Sequence, residues 1–247
     1  MKKVGIHQVN YFPWSGYFNK MAKSDIFIFL DQVQLTDRGY SQRTPVISSI
    51  GQQSFLNVGV IKKGHREKEF REIMLNPESD WRERQLNFLK GNYLSHPYYK
   101  SIMDVIFPVF DDKWNTLLDV TLCSIHIIKD ILEIHTPTVM QSDLLYDKEA
   151  KKSNLMLELT KSAEGDIYLS GSGAKQYMDV KEFAVHDVNV EYQTFQAFKY
   201  PQWRLNEFVP GLSILDMLFN IGIENSRDLF WTNMQNEETI EIVDVND

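Results

Sequence analysis

The chain has 247 residues, 43% of them hydrophobic and 24% charged, a composition typical of a soluble globular protein of one domain. The net charge of −8 argues against general nucleic-acid binding, which needs a basic surface, and against attraction to an anionic membrane. The single cysteine excludes an internal disulfide and a cysteine-based zinc site, and we predict no metal. The sequence shows no apolar leader and no long apolar run, so we predict a cytoplasmic protein with no membrane span.

The first 31 residues predict a β-α-β unit. Residues 3–8 are rich in β-formers, and a loop over 9–16 follows that contains proline and glycine. A short helix is predicted over 17–23. The apolar run at 26–30, which ends at Asp31, suits a strand buried on both faces. We therefore predict an α/β, Rossmann-like three-layer fold with a mainly parallel central sheet.

The middle of the chain is predicted to hold a hairpin and a helical insertion. Two β-rich runs over 44–62 surround a glycine turn. A helical portion is expected over 66–134. In it, one helix spans 66–92 with a break near Asn76-Pro77, and the strongest helical periodicity covers 98–134.

The last third returns to alternating strands and helices. The predicted domain covers 1–235, and an acidic, frayed tail is expected over 236–247. Residues 212–219 begin a final helix, for which Ser213 is the candidate cap. The other predicted elements are strands at 138–142, 166–169 and 188–195, and a helix at 154–161.

His7 and Asp31 are the candidate catalytic residues. Each ends a strand of the predicted parallel sheet, and ligands bind beyond the carboxyl ends of such strands. An aspartate that holds one tautomer of a histidine makes that histidine a better general base. The alternative is that His7 only caps the sheet through a backbone hydrogen bond.

Candidate substrate-binding residues surround these two. Five aromatics between positions 11 and 18 exceed what core packing needs in a loop, so some are expected to line a flat ligand such as a sugar or a base. The glycine-rich turn at 170–173 could approach a phosphate or be a plain turn, and Arg43 could meet a diphosphate or be solvated. The candidates from these features are Gln8 as an oxyanion donor, Tyr11, Trp14, Tyr17, Arg43, Ser170 and Ser172.

Three segments resemble the WbqC-like family, and together they cover nearly the whole chain. The first is Gly5-Ile-His-Gln-Val-Asn-Tyr-Phe-Pro-Trp-Ser-Gly-Tyr-Phe with Lys20 and the run from Ser24 to Gln34. The second is Tyr168-Leu-Ser-Gly-Ser-Gly-Ala with Tyr177, and the third is Phe208-Val-Pro-Gly-Leu-Ser-Ile-Leu-Asp. Val9 departs from the proline that this family commonly has after His-Gln. The motifs add Asn10, Gln34 and Tyr177 to the expected substrate contacts.

The resemblance implies a bacterial protein of O-antigen or similar surface-glycan biosynthesis. It implies a transferase that adds an acyl or aminoacyl group, such as glycine, to the amine of a nucleotide-linked amino sugar. His7 would then be the general base. A non-catalytic protein that binds the glycan precursor, or a scaffold of the same pathway, is the alternative. A glycosyltransferase is disfavoured because no Asp-x-Asp motif is present.

A weaker likeness connects the first β-α-β unit with the nucleotidylyltransferase-like Rossmann fold. Trp14 and Tyr17 stand at both histidine positions of that fold's ATP-binding His-x-Gly-His motif, which weakens the case for ATP. The acyl donor is left open among a thioester on an acyl carrier protein, a coenzyme A thioester and an adenylate formed from ATP.

Overall fold

A computed structural model describes residues 1–36, 39–176, 178–203 and 205–236 of the chain. These residues form seven strands: β1 Lys3–Gln8, β2 Ile26–Leu30, β3 Arg43–Ile47, β4 Gln53–Asn57, β5 Thr138–Met140, β6 Ile167–Ser170 and β7 Asn189–Tyr192. The α-helices are α1 Ser15–Ala22, α2 Trp81–Tyr93, α3 Tyr99–Ile106, α4 Leu117–Ile131, α5 Ser153–Ser162, α6 Val180–Val185 and α7 Ile214–Asn236. No helix within these ranges is long and apolar enough to cross a membrane.

Five strands form one parallel sheet in the order β5-β2-β1-β6-β7. The predicted β-α-β unit and the α/β, Rossmann-like class are thereby confirmed. β1 lies at the centre, where it pairs with β2 through His7 opposite Phe29 and with β6 through Gly5 opposite Leu169. Because all five strands run the same way, their carboxyl ends meet at one edge.

Helices cover both faces of the sheet. Side chains alternate along each strand, so every strand contributes residues to the core on each face. Phe27 and Phe29 of β2 join the larger core cluster, with residues of α1, α4 and α7. Ile28 and Leu30 point to the other face and join the smaller cluster, with residues of α5 and α6. This is the predicted three-layer arrangement.

The predicted hairpin is confirmed, and the expected helical portion over 66–134 consists of several separate helices. β3 and β4 pair antiparallel. The predicted helix over 66–92 forms only after its predicted break, as α2. Before the break, the structure has two single-turn 3-10 helices, His65–Glu67 and Phe70–Glu72, and isolated bridges such as Val60 with Leu75. The prediction of one helix over 98–134 is wrong: α3 ends before Pro108, and α4 begins only after Thr116, whose hydroxyl caps it by accepting from the Asp119 N–H.

The final helix begins where predicted and runs further. Ser213 precedes α7, and its hydroxyl accepts from the Leu215 N–H at 3.3 Å. The helix breaks at Gly222, whose φ of 78° is a left-handed conformation that glycine adopts without strain. A Cβ there would also lie 2.6 Å from the Tyr98 ring. The predicted acidic tail falls outside the described residues from 237 onward.

Candidate functional site

A cavity of about 220 Å³ opens at the carboxyl edge of the sheet, beside β1, β6 and β7. The loops after these strands and the first turns of α1 enclose it. Its lining residues are His7, Trp14, Gly16, Tyr17, Lys20, Gly171, Ser172, Gly173, Gln193 and Phe195. The topology therefore brings together segments that lie more than 150 residues apart in the chain.

His7 lies near the end of β1 and faces α1. Its ring packs edge-on against Tyr17, with ring centroids 4.8 Å apart. The Nδ1 atom lies 3.0 Å from the Gln8 carbonyl oxygen. Burial, followed by the charge of Lys20, lowers the pKa of His7 from 6.5 to about 4. The ring is therefore neutral at pH 7.

Lys20 reaches the same cavity from α1, three residues after Tyr17. Its side chain is only 3% exposed. The Nζ atom donates to the Ile6 carbonyl oxygen at 2.7 Å and lies 5.7 Å from the centre of the Tyr168 ring. Burial lowers the pKa of Lys20 from 10.5 to about 7.

Aromatic rings form the outer wall of the cavity. Trp14 is 39% exposed and packs edge-on against Phe195, with ring centroids 5.1 Å apart. Gln193 fixes this wall to the helix, because its Nε2 donates to the Gly16 carbonyl at 2.8 Å and to Asn19 Oδ1 at 2.6 Å. Its backbone N–H donates to the Ser170 carbonyl at 2.7 Å.

The glycine-rich turn after β6 leaves space on the opposite side. A Cβ built on Gly171 or on Gly173 would meet no atom within 4 Å. Ser172 is exposed and lines the cavity, whereas Ser170 is fully buried, with its hydroxyl 3.4 Å from the Gly171 carbonyl. The turn thus offers its backbone and one of the two predicted serines.

The structure does not join the two predicted catalytic residues. Asp31 is 2% exposed, and its carboxylate accepts from the Ser142 N–H at 3.0 Å, on the β5 side of the sheet. No hydrogen bond or ion pair links it to His7 within the described ranges. The expectation that Asp31 orients the His7 ring is therefore corrected: the Gln8 carbonyl is the ring's partner.

The other predicted substrate contacts are divided between the cavity and the rest of the fold. Trp14 and Tyr17 line the cavity, and Gln8 contributes its carbonyl, which also accepts from the Tyr17 hydroxyl at 3.2 Å. Tyr11 is a core residue whose hydroxyl donates to Gln85 at 2.8 Å. Asn10 is buried and accepts from Ser41 at 3.4 Å.

Three predicted contacts lie elsewhere. Gln34 is exposed, forms an isolated bridge with Glu69, and donates to the Arg66 carbonyl. Arg43 belongs to β3 and stacks 4.2 Å from the centre of the Phe55 ring. Tyr177 falls outside the described residues. In the part of the chain that the structure describes, no three His, Cys, Asp or Glu side chains cluster as metal ligands would.

The sequence prediction missed Lys20, Gln193 and Phe195 as lining residues. The spacing from Tyr17 to Lys20 places both on one helix face. Gln193 and Phe195 fall at the end of a predicted strand, so the rule that assigned His7 to this edge would have assigned them too.

Comparisons with known proteins match almost the whole chain. A model of the WbqC-like protein family matches residues 8–228. The chain is also 31% identical, over 225 residues, to a protein of Mycobacterium tuberculosis named "Uncharacterized protein Rv1507c". That alignment covers 91% of this chain and 96% of the relative. No solved structure gives a significant match.

Proposed function

Because the chain belongs to the WbqC-like protein family, we propose that it is a transferase of surface-glycan biosynthesis. Its reaction joins an acyl or aminoacyl group, such as glycine, to the amine of a nucleotide-linked amino sugar. The observation that carries this proposal is a histidine, held at Nδ1 by the Gln8 carbonyl, inside an aromatic cavity at the carboxyl edge of a parallel sheet.

The tautomer of His7 suits a general base. A carbonyl oxygen only accepts, so the contact with Gln8 requires the proton on Nδ1. The lone pair of Nε2 is then available to take a proton from an incoming amine. The low pKa keeps this form populated at neutral pH.

The reaction balances with groups of this cavity. The sugar amine attacks the acyl carbon, a C–N bond forms, and the bond to the leaving group breaks. His7 Nε2 takes the proton of the amine and passes it to the departing group. The backbone N–H groups of 171–173, where two of three residues lack a Cβ, can approach the oxyanion that develops on the acyl oxygen.

The aromatic wall supplies the binding surface. Trp14 and Phe195 present an apolar edge at the cavity mouth, where a sugar ring or a base can pack. The acyl donor is a carrier-protein thioester, a coenzyme A thioester or an adenylate formed in place. Each of the three delivers the same electrophilic carbon to the amine.

A mass-spectrometric screen tests the proposal. Nucleotide-linked amino sugars are incubated with each class of donor, and a gain of one acyl mass on the sugar is the expected result. The matched control is His7→Asn protein, which should give the same product far more slowly. Binding of a sugar nucleotide without any mass gain, with every donor class, would identify a precursor-binding protein instead.

A further inference from the structure

The ammonium group of Lys20 is short of partners. A lysine can donate three hydrogen bonds, and Lys20 donates one, to the Ile6 carbonyl. Its other contact is the face of the Tyr168 ring at 5.7 Å. Removing a charge from water without an opposite charge is costly, and buried charges in proteins are normally paired.

No acid within the described ranges neutralises this lysine. Burial is the cause of its low pKa, with no contribution from a neighbouring carboxylate. None of the described residues that line the cavity is an Asp or a Glu. On the elements packed against Lys20, β1 offers His7, β7 holds Glu191 in an ion pair with Lys3 at 2.6 Å, and the turn after β6 leads to a further base, Lys175.

We propose that Lys20 binds the carboxylate group of a small acid that enters this cavity. The inference deepens the proposed function, on which it rests for the acid's role: the acid is the free precursor of the acyl group, held by Lys20 before its carboxylate attacks ATP to form the acyl adenylate and release diphosphate. A carboxylate supplies the missing negative charge and two acceptors for the unused Lys20 donors.

The charge of the lining favours a monoanion over a diphosphate. Among the described residues that line the cavity, Lys20 is the one fully buried cation and none is an arginine. Diphosphates carry more charge and are commonly held by arginine forks or by long helix N-termini. A single ammonium matches one carboxylate, and a volume of about 220 Å³ suits a small acid.

A carboxylate bound at Lys20 would also change the pKa of His7. The Lys20 charge is the second cause of the low pKa of His7. A carboxylate beside Lys20 cancels that charge, so the pKa of His7 rises and the ring becomes a stronger base.

The protonation of Lys20 determines how the affinity for a carboxylate changes with pH. Without ligand it is about half protonated near pH 7, and only the protonated form attracts a carboxylate. Affinity should be nearly constant below pH 7 and fall about tenfold per pH unit above it. Between pH 6.5 and pH 8.5 the apparent affinity should drop roughly 25-fold.

Calorimetry with N-acetylglycine as the probe tests this directly, without any transfer reaction. N-acetylglycinamide, which has the same shape and no charge, is the control ligand and should bind at least about tenfold more weakly. At pH 8.5, titrations in two buffers of different ionisation heat should show uptake of nearly one proton per bound probe. That measurement uses the unmodified chain and needs no variant.

Lys20→Met removes the charge while keeping a side chain of similar length. It should weaken N-acetylglycine roughly 10- to 100-fold and remove the pH dependence, whereas Lys23→Met, at the end of the same helix, should bind normally. Nitrogen-15 spectra of histidine should show the pKa of His7 rising on binding in the unmodified chain. In Lys20→Met the pKa of His7 should already be raised without the probe, and adding N-acetylglycine should not change it.

Several results would overturn the proposal. Equal affinity for the acid and the amide, no proton uptake at pH 8.5, or full binding by Lys20→Met would each do so. Lys20-dependent binding of inorganic phosphate or UDP without binding of N-acetylglycine would assign the site to a phosphate. Carboxylate binding with no mass gain in the transfer screen would uphold this subsite and remove the transferase proposal.

Discussion

Lys20 and Asp216 are both buried ionisable side chains, and they differ in how many hydrogen bonds the fold gives them. Asp216, in the first turn of α7, is fully buried and accepts from the Tyr93 hydroxyl at 3.1 Å, the Tyr200 hydroxyl at 2.9 Å and Gln202 Nε2 at 3.0 Å. Lys20 has one such bond and lines a cavity. We call the Asp216 group with Tyr93, Tyr200 and Gln202 the carboxylate network.

The difference separates structure from function. A buried polar group that the protein satisfies stabilises the fold, and one that it leaves unsatisfied persists when a ligand completes it. The carboxylate network ties α2, α7 and the segment before α7 together. The cavity should therefore tolerate substitution with loss of activity, and the network should lose stability instead.

The largest expected effect is on the rate of transfer at the cavity. His7→Asn should lower the turnover number roughly 100- to 10,000-fold, the usual contribution of a positioned general base. Sugar-nucleotide affinity, measured by calorimetry, and the free energy of unfolding should change little. Near-normal turnover in His7→Asn would assign the base to another residue.

The network should show the opposite behaviour. Asp216→Ala leaves buried hydroxyl and amide donors without their acceptor, and should lower the free energy of unfolding by about 3 to 5 kcal/mol. Turnover per folded molecule should be retained. Urea unfolding followed by circular dichroism measures the free energy of unfolding, and the transfer assay measures the turnover.

The loss of stability caused by Asp216→Ala should become smaller as the pH rises. Burial raises the pKa of Asp216 in the folded chain, so its contribution is greatest in acid and falls as the pH rises through the folded pKa. The gap between Asp216→Ala and the unmodified chain should narrow accordingly. A gap that widens with pH would contradict the raised pKa.

Lys20 predicts a stability change of the opposite sign at alkaline pH. Its folded pKa of about 7 lies below the ordinary 10.5, so the unfolded chain binds more protons between these values and stability rises with pH. From pH 7 to pH 9 the unmodified chain should gain about 2 kcal/mol relative to Lys20→Met. Parallel urea curves at the two pH values measure this difference, and an unchanged difference would place the Lys20 ammonium in water.

The sequence could predict the parallel sheet because the signals for it are local. The apolar run of β2 and the proline and glycine before α1 mark a β-α-β unit without reference to the rest of the chain. Parallel topology then assigns the ends of β1 and β6 to one edge, which is how His7 and Ser172 could be placed together before the cavity was seen.

Other features depend on packing that no local pattern contains. Asp31 ends its strand as predicted, but its carboxylate is bound by the Ser142 N–H from a segment more than 100 residues later. Lysines usually extend their charged group into water. Lys20 is buried because other parts of the fold cover α1, and only the tertiary structure shows this. The apolar periodicity continues past Pro108, although the helix does not.

The smallest effect distinguishes two tyrosines of the carboxylate network. Tyr200→Phe removes one hydrogen bond to Asp216 and should lower the free energy of unfolding by about 1 kcal/mol. Tyr93→Phe should cost about twice as much, because the Tyr93 hydroxyl also accepts from the buried Ile47 N–H at 3.2 Å, which would lose its acceptor. In Asp216→Ala the Tyr200 substitution should cost little, since the Tyr200 hydroxyl then keeps only its long contact of 3.5 Å with Gln202 Nε2. Urea curves of the four single and double variants measure this coupling, and additive losses would show that Tyr200 acts through packing and not through the carboxylate.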